Sequence, residues 1–103
     1  MLITELIVGV ILIVIGITNY RGNISSIHSY HRHRVKDEDV KPFGRLMGSG
    51  TIIIGVGVIV NGIINYFGNK ALVSVGMLFM FVTIAIGIAL FIYATIKYNK
   101  GIF

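Results

Sequence analysis

Leu46-Met47-Gly48-Ser49-Gly50-Thr51-Ile52-Ile53-Ile54-Gly55-Val56-Gly57-Val58-Ile59-Val60-Asn61-Gly62-Ile63-Ile64-Asn65-Tyr66-Phe67 is the stretch that decides the fold. It is long enough to cross a bilayer, and glycine recurs along it every seventh residue, at Gly48, Gly55 and Gly62. A helix with this repeat keeps one small-residue face turned to a left-handed partner helix. In lipid, where burying apolar surface brings helices little, such a face lets two backbones come close. The stretch therefore reads as the central helix of a small membrane bundle.

Apolar runs lie on both sides of it. Residues 2–20 make about 28 Å of helix and 71–96 about 39 Å, against a hydrocarbon thickness of about 30 Å, so the third span has to tilt or project. The expected layout is a single membrane domain over residues 1–103. Its spans are at about 2–20, 46–67 and 71–96, with a loop at 21–45, a turn at 68–70 and a tail at 97–103. The fold class is all-α: an integral membrane bundle of three transmembrane helices, with a short amphipathic cytoplasmic segment between the first and second. Composition agrees, since 55% of the chain is hydrophobic and 13% charged, and the mean hydropathy is +0.89. A soluble domain of 103 residues needs far more charged surface. The first span lacks a basic leader and a small-x-small cleavage site, and is expected to remain in the mature protein.

Lys and Arg set the orientation. Arg21, Arg32, Arg34, Lys36, Lys41 and Arg45 fall in the first loop and Lys97 and Lys100 in the tail, while the opposite side has only Lys70. Basic loops are held in the cytoplasm, which puts the N-terminus outside, the Gly68-Asn69-Lys70 turn outside and the C-terminus inside. So short a turn makes the second and third helices antiparallel neighbours. The expected location is a bacterial plasma membrane. The net charge of +5 sits beside an apolar span, where anionic headgroups account for it and nucleic acid is not needed. Arg32, Arg34, Lys36, Lys41 and Arg45 are the candidate headgroup contacts.

Within that loop, Asn23, Ser25 or Ser26 is suited to cap a short helix carrying Ile24, Ile27 and Tyr30 to the membrane surface. Lys41 precedes a proline and is biased away from helix, whereas Pro42 suits a first helical turn, so the second helix is expected to start near Pro42. Asp37, Glu38 and Asp39 just before it suit the positive end of its dipole.

Each span has its own line of small residues. In the first it runs through Glu5, Gly9, Leu12, Gly16 and Asn19. In the second it runs through Gly44, Gly48, Thr51, Gly55, Val58, Gly62 and Asn65, and in the third through Gly76, Met80, Thr83, Gly87, Leu90 and Ala94. Gly9, Gly16, Gly48, Gly55, Gly62, Gly76 and Gly87 are the candidate helix-packing residues. A further line, Gly50, Gly57 and Asn61, is read as lying beside the main seam of the central helix, giving it a surface for two partners. Gly44 and Gly48 also match GxxxG, for which packing within the chain is favoured over a homodimer.

Glu5 is the one acidic residue within a span, and an intramembrane ionisable group is by default a functional candidate. It lies at the outer end with Lys70, so an ion pair between them, with Asn61 and Asn65 nearby, forms a candidate outer polar cluster. His28, His31 and His33 lie near the acidic residues, but their spacing omits the i, i+4 pair of helical zinc sites, and no metal site is expected. With no cysteine, no nucleophile elbow and no phosphate-cradling loop, neither an enzyme nor a cofactor is expected.

Ile27-x-x-Tyr30, Glu38-Asp39, Arg45-Leu46-Met47-Gly48 and the closing Lys97-Tyr98-Asn99-Lys100 together resemble uncharacterised, domain-of-unknown-function families of small three-span membrane proteins of Gram-positive bacteria. More distantly, the layout is similar to that of membrane proteins conferring immunity to secreted peptide toxins, although Asn19-Tyr20-Arg21 stands where those carry glycine-tyrosine-arginine. The small-residue seams together with the missing chemistry point to a non-enzymatic accessory, regulatory or immunity-type subunit acting through helix packing, with a membrane-protein partner or as a homo-oligomer. Two alternatives stay open: a homo-oligomeric small transporter or channel using Glu5, and a lipid or pH sensor working through the basic loop.

Overall fold

The computed structural model describes residues 2–22 and 37–98. The short amphipathic segment, the histidines and the basic side chains of Arg32, Arg34 and Lys36 fall outside these residues. Three helices make up the described structure: α1, Leu2–Tyr20; α2, Val40–Phe67, entered through a 3-10 turn at Asp37–Asp39; and α3, Lys70–Tyr98. Each is long and apolar enough to cross a membrane, and there are no strands among the described residues.

The helix ends have local causes. After α1, the Arg21 amide donates to the Ile17 carbonyl at 3.0 Å and the Gly22 amide to that of Asn19 at 3.0 Å. Gly22 has φ of 106°, a left-handed conformation that costs a residue without a Cβ little. Between α2 and α3 only Gly68 and Asn69 are non-helical, and Lys70 already belongs to α3. The Gly68 amide donates to the Ile64 carbonyl at 2.7 Å, and the Asn69 side chain accepts from the Leu72 amide at 3.0 Å, capping α3.

α2 starts at Val40, earlier than the expected start near Pro42, and takes in Lys41. The pre-proline bias is overridden by packing, because Phe43 in this first turn is fully buried. Pro42 itself still occupies the first turn, where its missing amide hydrogen leaves no bond unmade.

α1 and α3 each pack along α2, in a body whose extents are 48 × 20 × 17 Å. The α1–α2 register is set by glycines. A Cβ on Gly9 would meet the Gly55 carbonyl oxygen at 2.9 Å, and one on Gly55 would meet that of Gly9 at 2.9 Å; Gly16 and Gly48 face each other in the same reciprocal way. On the other interface Gly50 and Gly87 make the same pair, each Cβ position lying 2.9 Å from the other's carbonyl oxygen. Approach this close brings Cα–H groups to carbonyl oxygens and adds weak hydrogen bonds to the packing.

One expectation is corrected here. The Gly50 and Gly57 line does not lie beside the Gly48, Gly55 and Gly62 seam but nearly opposite to it, because two residues of α-helix turn through about 200°. Gly48, Gly55 and Gly62 face α1, whereas Gly50 and Gly57 face Phe91, Gly87 and Thr83 of α3. The three helices therefore form a row with α2 in the middle, and one flank of α2 between its two partners, at Val56 (40% exposed) and Ile63 (42% exposed), stays uncovered.

The buried hydrophobic core is not at the centre of this row. It consists of Phe43, Met47 and Ala94, with Leu46, Phe91 and Tyr98 packed on it, and Phe43 and Tyr98 meet edge to face at 6.4 Å. Gly48 lies against Tyr20, the last residue of α1, so Val40–Met47 run beyond the end of α1 and pair with the C-terminal turns of α3. α2 and α3, with 28 and 29 residues, come to about 42 and 44 Å and overhang a 30 Å apolar layer by about 12 Å. Where such an overhang meets water, burying a ring is driven by the hydrophobic effect; within lipid that drive is missing. The large apolar core side chains thus gather where α2 runs past the end of α1, and the reciprocal glycine contacts lie along the stretch that α2 shares with its partners.

Candidate functional site

The polar residues of the spans are handled in two ways. The threonine hydroxyls bond back to their own helices: Thr51 to the Met47 carbonyl at 2.9 Å, Thr83 to that of Met80 at 2.7 Å and Thr95 to that of Phe91 at 2.7 Å. No polar hydrogen of theirs is left facing lipid. Glu5 instead bonds between helices. It sits in the first turn of α1, and Asn61 Nδ2 of α2 donates to its Oε2 at 3.2 Å.

Gly62 makes this crossing possible. A Cβ there would come within 2.9 Å of Glu5 Cβ and 3.1 Å of Glu5 Oε2, so the carboxylate lies against α2 where that helix has no side chain. Asn61 is 6% exposed, and its Oδ1 is buried with no hydrogen-bond partner among the described residues. A buried amide with half of its capacity unused is costly in an apolar setting. Asn65, one turn further on, is exposed.

A groove of about 840 Å³ opens here between the start of α1 and the end of α2, walled by Leu2, Ile3, Thr4, Glu5, Gly62, Asn65 and Tyr66. Tyr66 and Phe67 meet edge to face at 4.8 Å, and both rings are exposed. Of the outer cluster, then, Glu5 and Asn61 are in direct contact and Asn65 lies across the groove from α1. Lys70 is exposed at the start of α3, and no ion pair joins it to Glu5 among the described residues. Tyr66 and the groove wall of Leu2 and Ile3 were not singled out from sequence; an aromatic pair at a helix end beside a turn is the signal that points to them.

At the opposite end, basic and aromatic side chains are paired. The Arg45 guanidinium lies 6.0 Å from the centre of the Tyr20 ring. Lys97 donates to the Tyr93 hydroxyl at 3.3 Å and stands 5.5 and 5.3 Å from the Tyr93 and Tyr98 ring centres. Lys41 and Arg21 are exposed there. Rings and long cationic side chains of this kind sit at the boundary between hydrocarbon and headgroups. Among the described residues, no three His, Cys, Asp or Glu side chains come together as a metal-binding group.

Fold and composition define the class: an all-helical, multi-pass protein with three apolar helices of membrane-spanning length. In comparison with family models, curated proteins and solved structures, nothing matches the chain.

Proposed function

We propose that this chain is a non-enzymatic integral protein of a bacterial plasma membrane, N-terminus outside and C-terminus cytoplasmic, acting through helix contacts as an accessory or regulatory subunit of the kind that immunity proteins represent. The observation that supports this reading most is the row arrangement. The reciprocal glycine contacts are made within the chain, while the flank of α2 at Val56 and Ile63 stays open. A helix of a neighbouring membrane protein fits such a flank by shape, with no need of a catalytic group. Lys41 and Arg45, together with Arg32, Arg34 and Lys36 of the loop, hold the assembly to anionic headgroups.

Extraction in mild detergent followed by mass analysis tests the proposal. One stoichiometric membrane-protein partner is the expected result, lost when Val56 and Ile63 are both replaced by Trp. A single species of this chain alone in native membranes rules the reading out.

A further inference from the structure

We infer that the basic end of the bundle holds one anionic phospholipid, its phosphate between the last residues of α1 and the first turns of α2 and an acyl chain along the uncovered flank of α2. This deepens the headgroup reading above and rests on it, replacing a diffuse attraction with a defined site. Three observations lead to it. The chain leaving α1 lies against the start of α2: a Cβ on Gly22 would meet Lys41 Cγ at 3.8 Å, and the Tyr20 ring centre lies 6.0 Å from the Arg45 guanidinium. Arg21 sits between those two contacts, and Lys41 and Arg45 stand one turn apart on the same face of α2. All three cations are exposed, and no ion pair engages them among the described residues.

The ring and the flank decide what the anion belongs to. A guanidinium stacked on an aromatic face keeps its N–H edge free, and that edge forks onto two phosphate oxygens. Arg21 and Lys41 add charge beside it. Arg45, Ser49 and Val56 follow one another along α2 at steps of four and seven and so share a face, the one on which Val56 is uncovered. From Arg45 to Val56 the helix rises about 16 Å, half of a hydrocarbon layer of about 30 Å and hence the depth of one leaflet. A free phosphate uses only the charged end of this surface; a phospholipid uses all of it. The Ile63 half of the flank, in the other leaflet, is left to a neighbouring helix. The acidic residues Asp37, Glu38 and Asp39 enter α2 on its far side from the span, Asp39 about 9 Å beyond Arg45, so a phosphate at the lipid edge meets the cations first.

The test uses the full chain in nanodiscs of phosphatidylcholine with a minor share of phosphatidylglycerol, released intact into a mass spectrometer so that the lipids kept by each chain are counted. One phosphatidylglycerol per chain is expected, with no phosphatidylcholine in its place. Arg45→Ala should lower the retained fraction about fivefold, the worth of one cation at headgroup level, and Arg21→Ala likewise. Lys97→Ala, on α3 where Lys97 bonds to Tyr93, removes the same charge at the same end and should change it less than about twofold. Added inorganic phosphate should leave the lipid in place. Equal losses in Arg45→Ala and Lys97→Ala overturn the site while sparing the headgroup reading, and no preference for phosphatidylglycerol in the wild type overturns both. Displacement by inorganic phosphate assigns the cluster to a free anion and overturns the lipid. Should Arg45→Ala not fold, Arg21→Ala against Lys97→Ala decides in the same way.

Discussion

Gly16 and Gly48 each place a carbonyl oxygen where the other's side chain would begin. Neither can gain a methyl group unless α1 and α2 separate, because a Cβ on either meets backbone of the facing helix, which cannot rotate away, and on Gly16 also the inner part of the Ile52 side chain. Gly16→Ala or Gly48→Ala should therefore destabilise the α1–α2 contact by about 1–3 kcal/mol, the usual range for overpacking. Reversible unfolding in bicelles, monitored with a reporter on α1, measures it, and a loss below about 0.5 kcal/mol contradicts the geometry.

Gly57 behaves differently, because what crowds it is the Thr83 side chain. Gly57→Ala should destabilise the wild-type chain but cost much less in a Thr83→Gly background. A double-mutant cycle reads this directly, with an expected coupling of about 1 kcal/mol or more; additive effects would mean that the two positions do not touch.

Phe43 and Phe81 separate burial in protein from exposure to lipid. Phe43 is fully buried in the overhang, whereas Phe81 is 58% exposed within α3. Phe43→Ala should cost about 3 kcal/mol or more and open Val40–Met47 to protease. Phe81→Ala should lie within about 1 kcal/mol of wild type, since lipid replaces what the ring touched. Equal losses at the two sites would remove the distinction between core and span.

Asn61 holds Glu5 by one hydrogen bond and buries an oxygen with no partner among the described residues. Interhelical polar bonds in membranes are worth about 0.6 kcal/mol on average. Asn61→Leu, which removes bond and orphan oxygen together, is expected to change stability by less than about 1 kcal/mol in either direction. Its effect should appear instead in the position of Glu5, as a changed chemical shift of its carboxyl carbon. A loss of several kcal/mol would show that Asn61 carries the fold.

Orientation is open to direct labelling. With Asn69→Cys and Arg21→Cys introduced singly into a chain that has no cysteine of its own, an impermeant thiol reagent applied to intact cells should modify the first and spare the second. The reverse pattern would invert the topology drawn from the basic loop.

Much of this fold was legible because lipid simplifies the problem. The apolar runs located three helices, with α1 at Leu2–Tyr20 coinciding with the first run, and the seven-residue steps picked out positions such as Gly9, Gly55 and Gly87 that are buried between helices. What was missed has identifiable physical reasons. The overhang was hidden because Lys41 and Arg45 interrupt the apolar pattern around Phe43, so a buried ring looked like part of a basic loop. Lys70 looked suited to pair with Glu5 because sequence gives depth in the membrane. The actual hydrogen-bond partner, Asn61, follows from the rotation of α2 and from the gap at Gly62. The groove needed both at once, since Tyr66 and Leu2 come together only when the two helix ends are aligned.

The spacing between the two glycine lines of α2 also works as a phase code for cross-section. Gly50 and Gly57 trail Gly48 and Gly55 by two positions, about 200°, and the result is a plank. Moved to positions 51 and 58, the same glycines would trail by about 300°, leaving roughly 60° between the directions of α1 and α3, and the plank would fold into a triangle in which α1 and α3 also touch. A shift of one residue in one line thus converts a flat row into a triangle, with no change in hydropathy, length or charge.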